Sequence, residues 1–404
     1  MVKQGYKQTE IGVIPEDWEC VKIEDVANIS MCKRIFADQT TENGEIPFYK
    51  IGTFGKEADA FISRALYNEF KNRFSFPKKG DVLISAAGTL GRTVVYDGRD
   101  AYFQDSNIVW LDIDKMVLCN EYLNHYYRVI KWASSEGSTI ARLYNGIIYA
   151  TNIALPSLPE QQRIAEALSG VDSMITSLEK LIEKKKAIKQ GAMQELLTGK
   201  KRLPEFSGEW DTYKFGNLCT ICRGGSPRPI QDFLTTNDEG INWIKIGDVK
   251  SNAKYITSTQ EKIIESGIAM SRRVYKGDFI LSNSMSFGRP YILKIDGCIH
   301  DGWLAIQDYK DCFNTDFLYY LLSSEYVFNQ YVQMAAGSSV QNLNKDKVAQ
   351  LDIFLPSVTE QTAIASILSD MDSEIEALEQ KLDKTRQLKQ GMMQQLLTGK
   401  IRLV

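Results

Sequence analysis

The sequence predicts an α+β protein with two similar variable regions, each followed by one long helix, and with the two helices packed antiparallel in a pseudo-two-fold arrangement. Three observations support this prediction: one segment occurs twice, both copies have the apolar spacing of a long helix, and short strand-like runs precede each copy. The predicted parts are a first variable region (1–154), a central helical spacer (155–203), a second variable region (204–354) and a C-terminal helical spacer (355–404).

The duplicated segment aligns with itself without a gap at an offset of 200 residues. Leu155–Leu203 and Leu355–Leu403 are identical at 27 of 49 positions, which indicates duplication because chance cannot produce such a match. The variable regions share shorter motifs in the same order: Trp18 with Trp210, Lys50-Ile51-Gly52 with Lys245-Ile246-Gly247, Lys79-Gly80-Asp81 with Lys276-Gly277-Asp278, Gly91-Arg92 with Gly288-Arg289, Gly137-Ser138 with Gly337-Ser338, and Leu143 with Leu343. The two variable regions are therefore expected to share one scaffold and to differ in the remaining side chains.

Both copies of the repeat predict a long helix, which in the first copy runs from Pro159 to Thr198. Ser157 and Glu160 have the Ser-x-x-Glu spacing of a capping box, and Ser357 and Glu360 repeat it. Each copy ends at a glycine suited to a helix C-terminus.

Apolar residues in each predicted helix follow alternating spacings of four and three, as in the seam of a coiled coil. The seam residues are Ile164, Leu168, Val171, Ile175, Leu178 and Ile182 in the first copy, and Ile364, Leu368, Met371, Ile375, Leu378 and Leu382 in the second. The seam is predicted to slip near Lys185 and Thr385, and then to resume at Ile188, Met193 and Leu196 and at Leu388, Met393 and Leu396.

Two such stripes in one chain most simply pack on each other, and the alternative is that each helix packs on its own variable region. The basic residues Lys184–Lys186 could face phosphates, but nearby glutamates favour a solvated helix face. The surfaces at Gln190–Gly199 and Gln390–Gly399 are nearly the same, which would suit two copies of one partner.

Each variable region contains a matched strand followed by a small polar loop, at Asp81–Ser85 and at Asp278–Ser282. Glycine allows a close backbone approach, serine and asparagine offer hydrogen bonds, and arginine can bind phosphate or a guanine edge. A plain buried turn is the alternative interpretation. The candidate DNA-binding residues here are Ser85, Gly88, Thr89, Gly91 and Arg92 in the first region, and Ser282, Asn283, Ser284, Ser286, Gly288 and Arg289 in the second.

Further candidates lie at other matched positions. Strand-like segments are predicted at Gln104–Val109 and His300–Ile306, each beginning with a polar pair. A flexible basic loop, Arg223–Arg228, has no clear match in the first region and could equally be a surface turn. The remaining candidate DNA-binding residues are Lys50, Gln104, Ser106, Ser138 and Arg142, and Arg223, Arg228, Lys245, His300, Ser338 and Gln341. Clustered aromatic residues at helical spacing are expected in the core.

The composition argues against several other classes of protein. No apolar run is long enough to span a membrane, the N-terminal start is too polar for a signal peptide, and a net charge of −3 does not suit a wholly basic coat for nucleic acid. Seven cysteines without a dense framework suit a reducing cytoplasm. Cys219 and Cys222 form a Cys-x-x-Cys pair, but His125 and His300 are the chain's two histidines, so no metal site is predicted.

Catalytic motifs are also missing from the sequence. The chain has no Pro-Pro pair, which excludes the Asp/Asn-Pro-Pro-aromatic signature of amino-methyltransferases. Its three Gly-Lys pairs are not followed by Ser or Thr, so there is no Walker A motif, and no hydrolytic triad has support. We therefore expect no catalytic residue in this chain.

The chain resembles the specificity (S) subunits of type I restriction-modification systems over its full length. The resemblance rests on the alternating layout, on Leu-Pro-x-x-x-Glu-Gln at Leu155–Gln161 and Leu355–Gln361, on Leu-Leu-Thr-Gly-Lys-x-Arg-Leu at Leu196–Leu203 and Leu396–Leu403, and on Gly-Asp-x-x-Ile/Leu-Ser followed by Gly-Arg in each half.

This resemblance implies that 1–154 and 204–354 are target recognition domains, each binding one half of a split double-stranded DNA site. The helices would set the gap between half-sites and dock two methyltransferase subunits, and a full restriction complex would add two motor-nuclease subunits. Partners would use S-adenosylmethionine to make N6-methyladenine, and ATP and Mg²⁺ for restriction, while this cytoplasmic chain would bind no cofactor. The alternative is a non-catalytic scaffold whose variable regions bind proteins.

Overall fold

The computed structural model describes residues 4–130, 132, 142–249, 253–283, 288–335 and 343–404. The chain packs into two compact units, which are Met1–Glu179 with Gln380–Val404 (unit 1) and Lys180–Glu379 (unit 2). Each unit thus contains one variable region and a part of each long helix. The four-part division at residues 154, 203 and 354 stays a prediction. None of the helices in the described part of the chain is both long and apolar enough to cross a membrane.

Unit 1 contains a four-stranded antiparallel sheet in the order β4-β10-β7-β8, and a three-stranded sheet in the order β6-β5-β9 in which β5 and β9 are parallel. Its strands are β1 (Tyr6–Thr9), β2 (Gly12–Pro15), β3 (Glu19–Lys22), β4 (Ala27–Ser30), β5 (Ile46–Tyr49), β6 (Phe61–Ile62), β7 (Val82–Ser85), β8 (Thr93–Val95), β9 (Tyr102–Phe103), β10 (Ile108–Ile113) and β11 (Asn152–Leu155). Its helices are α1 (Ile23–Val26), α2 (Arg64–Arg73), α3 (Asn120–Tyr126), α4 (Asn145–Tyr149) and the first part of α5 (Leu158–Leu196).

Unit 2 contains the sheets β13-β22-β19-β20-β16 and β14-β17-β15-β21-β18. Its strands are β12 (Asp211–Lys214), β13 (Thr220–Arg223), β14 (Leu234–Thr235), β15 (Ile241–Ile244), β16 (Tyr255–Ile256), β17 (Glu261–Ile263), β18 (Arg272–Val274), β19 (Phe279–Ser282), β20 (Pro290–Leu293), β21 (Gly297–Ile299), β22 (Trp303–Gln307) and β23 (Asp352–Leu355). Its helices are α6 (Thr315–Leu322), α7 (Glu325–Ala335), α8 (Lys345–Ala349) and the first part of α9 (Val358–Leu396). Short 3-10 helices lie at Ala37–Gln39, Phe215–Asn217, Ile230–Phe233, Ile246–Asp248 and Glu265–Met270.

The two units share a topology. The order β4-β10-β7-β8 of unit 1 recurs as β13-β22-β19-β20 in unit 2, and the parallel pair β5–β9 recurs as β15–β21. The α+β class and the doubled scaffold predicted from the sequence are therefore confirmed. In each unit one sheet face packs on a short helix and a long helix. The aromatic residues expected in the core are buried there, including Tyr122, Tyr126 and Tyr127 in unit 1 and Phe317 and Tyr320 in unit 2.

The long helices α5 and α9 have 39 residues each, which confirms the predicted helix within two residues at each end. The predicted slip in the seam is wrong. Ile188 and Leu388 are 47% and 58% exposed, whereas Thr385 and Lys389 are buried. The alternation of four and three continues instead through Lys185, Lys189, Ala192 and Leu196, and through Thr385, Lys389, Met392 and Leu396. The pattern was missed because polar side chains occupy two successive seam positions in each helix.

Antiparallel packing of the helices is confirmed within each unit by ion pairs between them. In unit 1, Lys389 pairs with Asp172, and Arg386 Nη2 lies 2.7 Å from Glu179 Oε1. In unit 2, Lys189 pairs with Asp372, and Lys186 Nζ lies 2.6 Å from Glu379 Oε1. The Lys184–Lys186 run therefore includes residues that pair with carboxylates, in agreement with a solvated helix face.

The helix starts depart from the predicted capping boxes. Ser357 Oγ does accept a hydrogen bond from the Glu360 backbone N–H over 3.3 Å. The Glu360 carboxylate, however, accepts from Trp210 Nε1 at 3.1 Å, and the Glu160 carboxylate accepts from Trp18 Nε1 at 3.0 Å. A buried carboxylate gains more from an indole donor and an arginine than from a backbone N–H at the helix end. This contact also explains why the two tryptophans recur.

Candidate nucleic-acid interface

The polar loop after β7 is a tight turn built around Ser85 and Arg92. The Ser85 backbone N–H donates to the Arg92 carbonyl at 2.8 Å, and Ser85 Oγ accepts from the Arg92 N–H at 2.9 Å. Gly91 has a φ of +73°, and a Cβ there would clash with the indole of Trp132. Ser85 is buried, which favours a structural role, while Gly88 and Thr89 are exposed at the tip.

The corresponding turn in unit 2 uses the same scheme. The Ser282 N–H donates to the Arg289 carbonyl at 3.1 Å, and the Gly288 N–H donates to the Ser282 carbonyl at 2.9 Å. Gly288 has a φ of +73° and lies against the ring of Tyr331. Asn283 is buried and donates from Nδ2 to the Asp301 carbonyl at 2.9 Å. Ser282 and Asn283 therefore hold the turn, as Ser85 does.

Arg92 and Gln104 join the turn of unit 1 to the loop that begins at Lys50. Arg92 Nη2 donates to the Ile51 carbonyl at 3.0 Å, and Gln104 Oε1 accepts from the Ile51 N–H at 2.8 Å. Lys50 Nζ lies 2.9 Å from Asp59 Oδ1. The structure thus brings together three loops, those that contain Lys50, Arg92 and Gln104. In the sequence, each of these loops is recognised only separately, by its match in the other half.

Residues 104–107 form a turn, so the predicted strand from Gln104 is wrong at its start: β10 begins at Ile108. Within this turn Ser106 has a φ of +53°. Arg142 Nη2 donates to Asn107 Oδ1 at 3.0 Å and lies 3.5 Å from Ser106 Oγ. The predicted strand from His300 is wrong in the same way, because β22 begins at Trp303.

Arg34 lies beside the turn at residues 104–107, in the loop cluster that also contains Arg92 and Gln104, although it was not identified from the sequence. Its Nε atom is 2.8 Å from Asp105 Oδ2, and its side chain is 60% exposed. Arg34 follows β4 just as Arg228 follows the equivalent strand β13, but the two loops differ in length and sequence. One feature of the sequence could have identified Arg34: in each half a basic residue follows the strand β4 or β13 and precedes the next apolar run.

In unit 2 the cluster centres on Asp301. Its Oδ1 lies 3.0 Å from His300 Nε2, its Oδ2 lies 3.3 Å from Arg228 Nη2, and its N–H donates to Ser226 Oγ at 3.3 Å. The His300 Nδ1 atom accepts from the Gly302 N–H at 2.9 Å, which fixes the ring. These side chains line a cavity of about 380 Å³ together with Trp243, Lys245, Gln231 and Glu261.

Three other candidates of unit 2 lie beside or apart from that cavity. Lys245 Nζ lies 2.7 Å from Glu261 Oε1 within it. Arg223 is exposed on β13, and its carbonyl lies 3.5 Å from Arg272 Nε. Arg289 lines a different cavity of about 420 Å³ with Gln190, Gln194 and Tyr319. The candidates Ser138, Ser284, Ser286, Ser338 and Gln341 lie outside the described residues. A DNA-binding role for each individual residue stays a prediction.

Across the described ranges, no group of His, Cys, Asp and Glu residues is arranged to hold a metal ion. Burial raises the pKa of Cys219 to about 12, so that thiol stays protonated at neutral pH. The arrangement in both units therefore offers hydrogen-bond donors and acceptors on loops, which suits recognition.

The known proteins that this chain resembles are type I restriction enzyme specificity subunits. Residues 15–190 and 207–386 match a family model described as the Type I restriction modification DNA specificity domain. A putative type I restriction enzyme specificity subunit of Haemophilus influenzae is 49% identical over 43% of this chain and 45% of its own length. The putative MjaX specificity subunit of Methanocaldococcus jannaschii is 26% identical over 99% of this chain and 97% of its own.

Solved structures show the same fold at lower identity. The type I S subunit of M. genitalium is 14% identical, with a TM-score of 0.58 over 94% of this chain and 96% of its own. A chain from a structure of a type I R-M system is 17% identical, with a TM-score of 0.62 over 96% and 99% of the two chains. The HsdS subunit of Thermoanaerobacter tengcongensis is 17% identical, with a TM-score of 0.52 over 99% and 100%.

Proposed function

Since the chain belongs to the family of type I restriction-modification DNA specificity subunits, we propose that its two units each recognise one half of an asymmetric, bipartite DNA site. Specificity subunits bind DNA and leave catalysis to other subunits, and we propose the same for this chain. The two variable regions have one scaffold but different side chains, and different side chains contact different base pairs. One chain would therefore recognise two separate stretches of double-stranded DNA.

One observation carries this proposal: the same loop cluster occurs in both units with different side chains. Gln104 in unit 1 is replaced by His300 in unit 2, and the two residues bond differently. Gln104 is engaged with the Ile51 backbone, whereas His300 contacts Asp301. A scaffold shared by both units, with different contact groups on each, is what a split, non-palindromic site requires.

The long helices set the gap between the half-sites in this proposal. A helix of 39 residues is about 58 Å long, because each residue adds about 1.5 Å along the axis. The number of residues in the helix therefore fixes its length. The repeated surfaces at Gln190–Gly199 and Gln390–Gly399 would dock two methyltransferase subunits, since nearly identical surfaces suit two copies of one partner.

The chemistry belongs to those partners. They would use S-adenosylmethionine to make N6-methyladenine, and two motor-nuclease subunits, where present, would use ATP and Mg²⁺ for restriction in the cytoplasm. This chain would bind no cofactor itself.

An exchange of one variable region tests the proposal. The chain is co-expressed with its methyltransferase subunit, and methylated adenines are mapped on a genome. Replacing 204–354 with the region of another specificity subunit should change one half of the methylated motif and leave the other half and the gap unchanged. A change in both halves would refute independent recognition, and absence of any split motif with the unmodified chain would refute the proposed function.

A further inference from the structure

An arginine–aspartate pair occurs at the same place in both units. In unit 1, Arg34 comes from the loop after β4 and contacts Asp105 in the turn after β9. In unit 2, Arg228 comes from the loop after β13 and contacts Asp301 in the turn after β21. The strands correspond in topology, but the two arginine loops have unrelated sequences. The pair therefore persists where the surrounding sequence has changed.

In both units the aspartate is fixed and the arginine is presented outward. The side chains of Asp105 and Asp301 are 16% and 29% exposed, whereas those of Arg34 and Arg228 are 60% and 82% exposed. The turn that carries Asp105 is closed by a hydrogen bond from the Asn107 N–H to the Asp105 carbonyl at 2.6 Å. The carbonyl of Asp301 accepts from Asn283, as described above.

Each arginine uses one nitrogen for its aspartate, Nε in Arg34 and Nη2 in Arg228. Among the described residues, no other hydrogen bond involves the remaining guanidinium N–H groups of Arg34. A guanidinium held at one edge by a carboxylate and open at another has a defined orientation, which is the condition for bidentate hydrogen bonding.

The carboxylate also selects between two DNA targets. A phosphate would meet an aspartate about 3 Å from the arginine, and that negative charge opposes phosphate binding. The O6 and N7 acceptors of guanine carry no net charge and match the spacing of two guanidinium N–H groups. The pair therefore favours a guanine edge in the major groove over the DNA backbone.

We propose that Arg34 and Arg228 each recognise one guanine, one in each half-site, and that Asp105 and Asp301 are positioning residues for these arginines. This inference rests on the proposed function and adds to it a base and the residue that contacts it. In unit 2, Asp301 also contacts His300, whereas Gln104 at the matching position of unit 1 bonds to the Ile51 backbone, so the surroundings of the two arginines differ.

The test compares the full chain, in complex with its methyltransferase subunits, with the variants Arg34→Lys, Arg228→Lys, Asp105→Asn and Asp301→Asn. Binding is measured on a pool of duplexes that carry every single-base change in the recognised site. Lysine keeps the charge but lacks the planar pair of guanidinium donors that the aspartate orients. Arg34→Lys should lower the preference for guanine at one position of one half-site by about 5- to 100-fold, and Arg228→Lys should do the same in the other half.

The aspartate variants should relax the preference at the same positions as their arginines, which a purely structural defect would not do. The matched control is Arg99→Lys, since Arg99 also pairs with an aspartate, Asp97, at 3.3 Å but lies in the turn between β8 and β9. It should leave the profile unchanged. The half-site that a variant does not affect reports whether the protein is folded.

Three results would overturn the inference: an unchanged profile in the lysine variants, a site without a guanine in either half, or a uniform loss on all sequences. Uniform loss in the corresponding Arg→Ala variants, with a salt dependence reduced by about one unit of slope, would indicate a phosphate contact instead. If the unmodified complex shows no sequence preference at all, the proposed function fails, and this is distinguishable from failure of the arginine assignment.

Discussion

Arg402 and Glu160 are 242 positions apart in the chain, and Arg402 Nε donates to Glu160 Oε1 over 2.7 Å while Nη2 donates to Oε2 over 2.8 Å. Arg202 and Glu360 repeat this contact in unit 2 with the same two distances. In each unit the end of one long helix is thereby attached to the start of the other. The carboxylates are buried, so each depends on its arginine for compensation of charge.

Removing that arginine should destabilise the protein. We expect Arg402→Ala to lower the free energy of unfolding by about 3 to 5 kcal/mol, because it leaves a buried carboxylate without its cation. Burial alone would raise the pKa of Glu160, but Arg402 and Trp18 outweigh it and the pKa lies below its ordinary value. Urea unfolding at neutral pH measures the effect. Arg99→Ala, at an exposed site, is the control and should cost less than about 0.5 kcal/mol. A loss as small as the control's would show that the contact contributes nothing.

Acid should destabilise unit 1 through His125. Burial first, and then the positive charges of Arg128 and Lys389, lower the pKa of His125 to about 4 against the opposing effect of Asp172. Its Nε2 lies 3.0 Å from Ser169 Oγ. The unfolded chain binds this proton near pH 6.5 and the folded chain only near pH 4, so stability falls as pH drops through that window. The contribution reaches about 3 kcal/mol below pH 4.

Two variants isolate this contribution. Tyr320 takes the position of His125 in unit 2, where its hydroxyl donates to Asp372 Oδ2 at 2.7 Å. Both His125→Tyr and His125→Gln should remove part of the fall in unfolding free energy between pH 6.5 and 4. His300→Gln, at a histidine whose side chain is 41% exposed, should retain the fall seen in the unmodified chain. Identical curves for all four proteins would disprove the role of His125.

The ion pair between Lys189 and Asp372 should specify how the helices align in unit 2. Either Lys189→Asp or Asp372→Lys alone places like charges together, and we expect each to destabilise the chain by about 1 to 3 kcal/mol. The double exchange should recover most of that loss, because the charges are complementary again. A double-mutant cycle from urea unfolding measures the coupling. Additive losses would mean that the two residues act independently.

Lengthening the paired helices should widen the gap in the recognised DNA site. The sequence suggests matching insertions near Thr176 and Glu376, but the ion pairs of unit 1 place the segment around Thr176 opposite residues 386–389. Seven residues inserted at Thr176 and seven between Arg386 and Lys389 keep the alternation of four and three. They add about 10 Å, so we expect a gap longer by about three base pairs at about 3.4 Å per base pair. An unchanged gap in the methylated motif would contradict the spacer role.

The regular parts of the fold could be predicted from the sequence because their signals are local. Strand β7 and its copy β19, and both long helices, show their periodicity directly. The seam beyond Ile182 was missed because Lys189 is half-buried and Lys389 is buried, each with a distant aspartate partner that periodicity does not show. The same limit applies to the helix starts, where Glu160 bonds to residues far away in the chain.

Within the candidate interface, the sequence located the loops but not the roles of their side chains. Ser85 and Asn283 are polar because they hold turns together, which cannot be distinguished from a ligand contact by residue type alone. Arg34 was missed for the opposite reason: its loop has no sequence match to that of Arg228. The equivalence depends on where Asp105 and Asp301 lie in space, and only the fold shows this.

The two units differ in how they are assembled from the chain. Unit 2 is continuous, whereas unit 1 takes its last 25 residues, Gln380–Val404, from the far end of the sequence. During synthesis, unit 2 is fully translated while the core of unit 1 around Ile14 and Trp18 still lacks Leu396, Leu397 and the cation of Arg402. The first half of the protein is thus the last to be completed. Loss of residues 380–404 would therefore damage unit 1, which holds the N-terminal variable region, and spare unit 2.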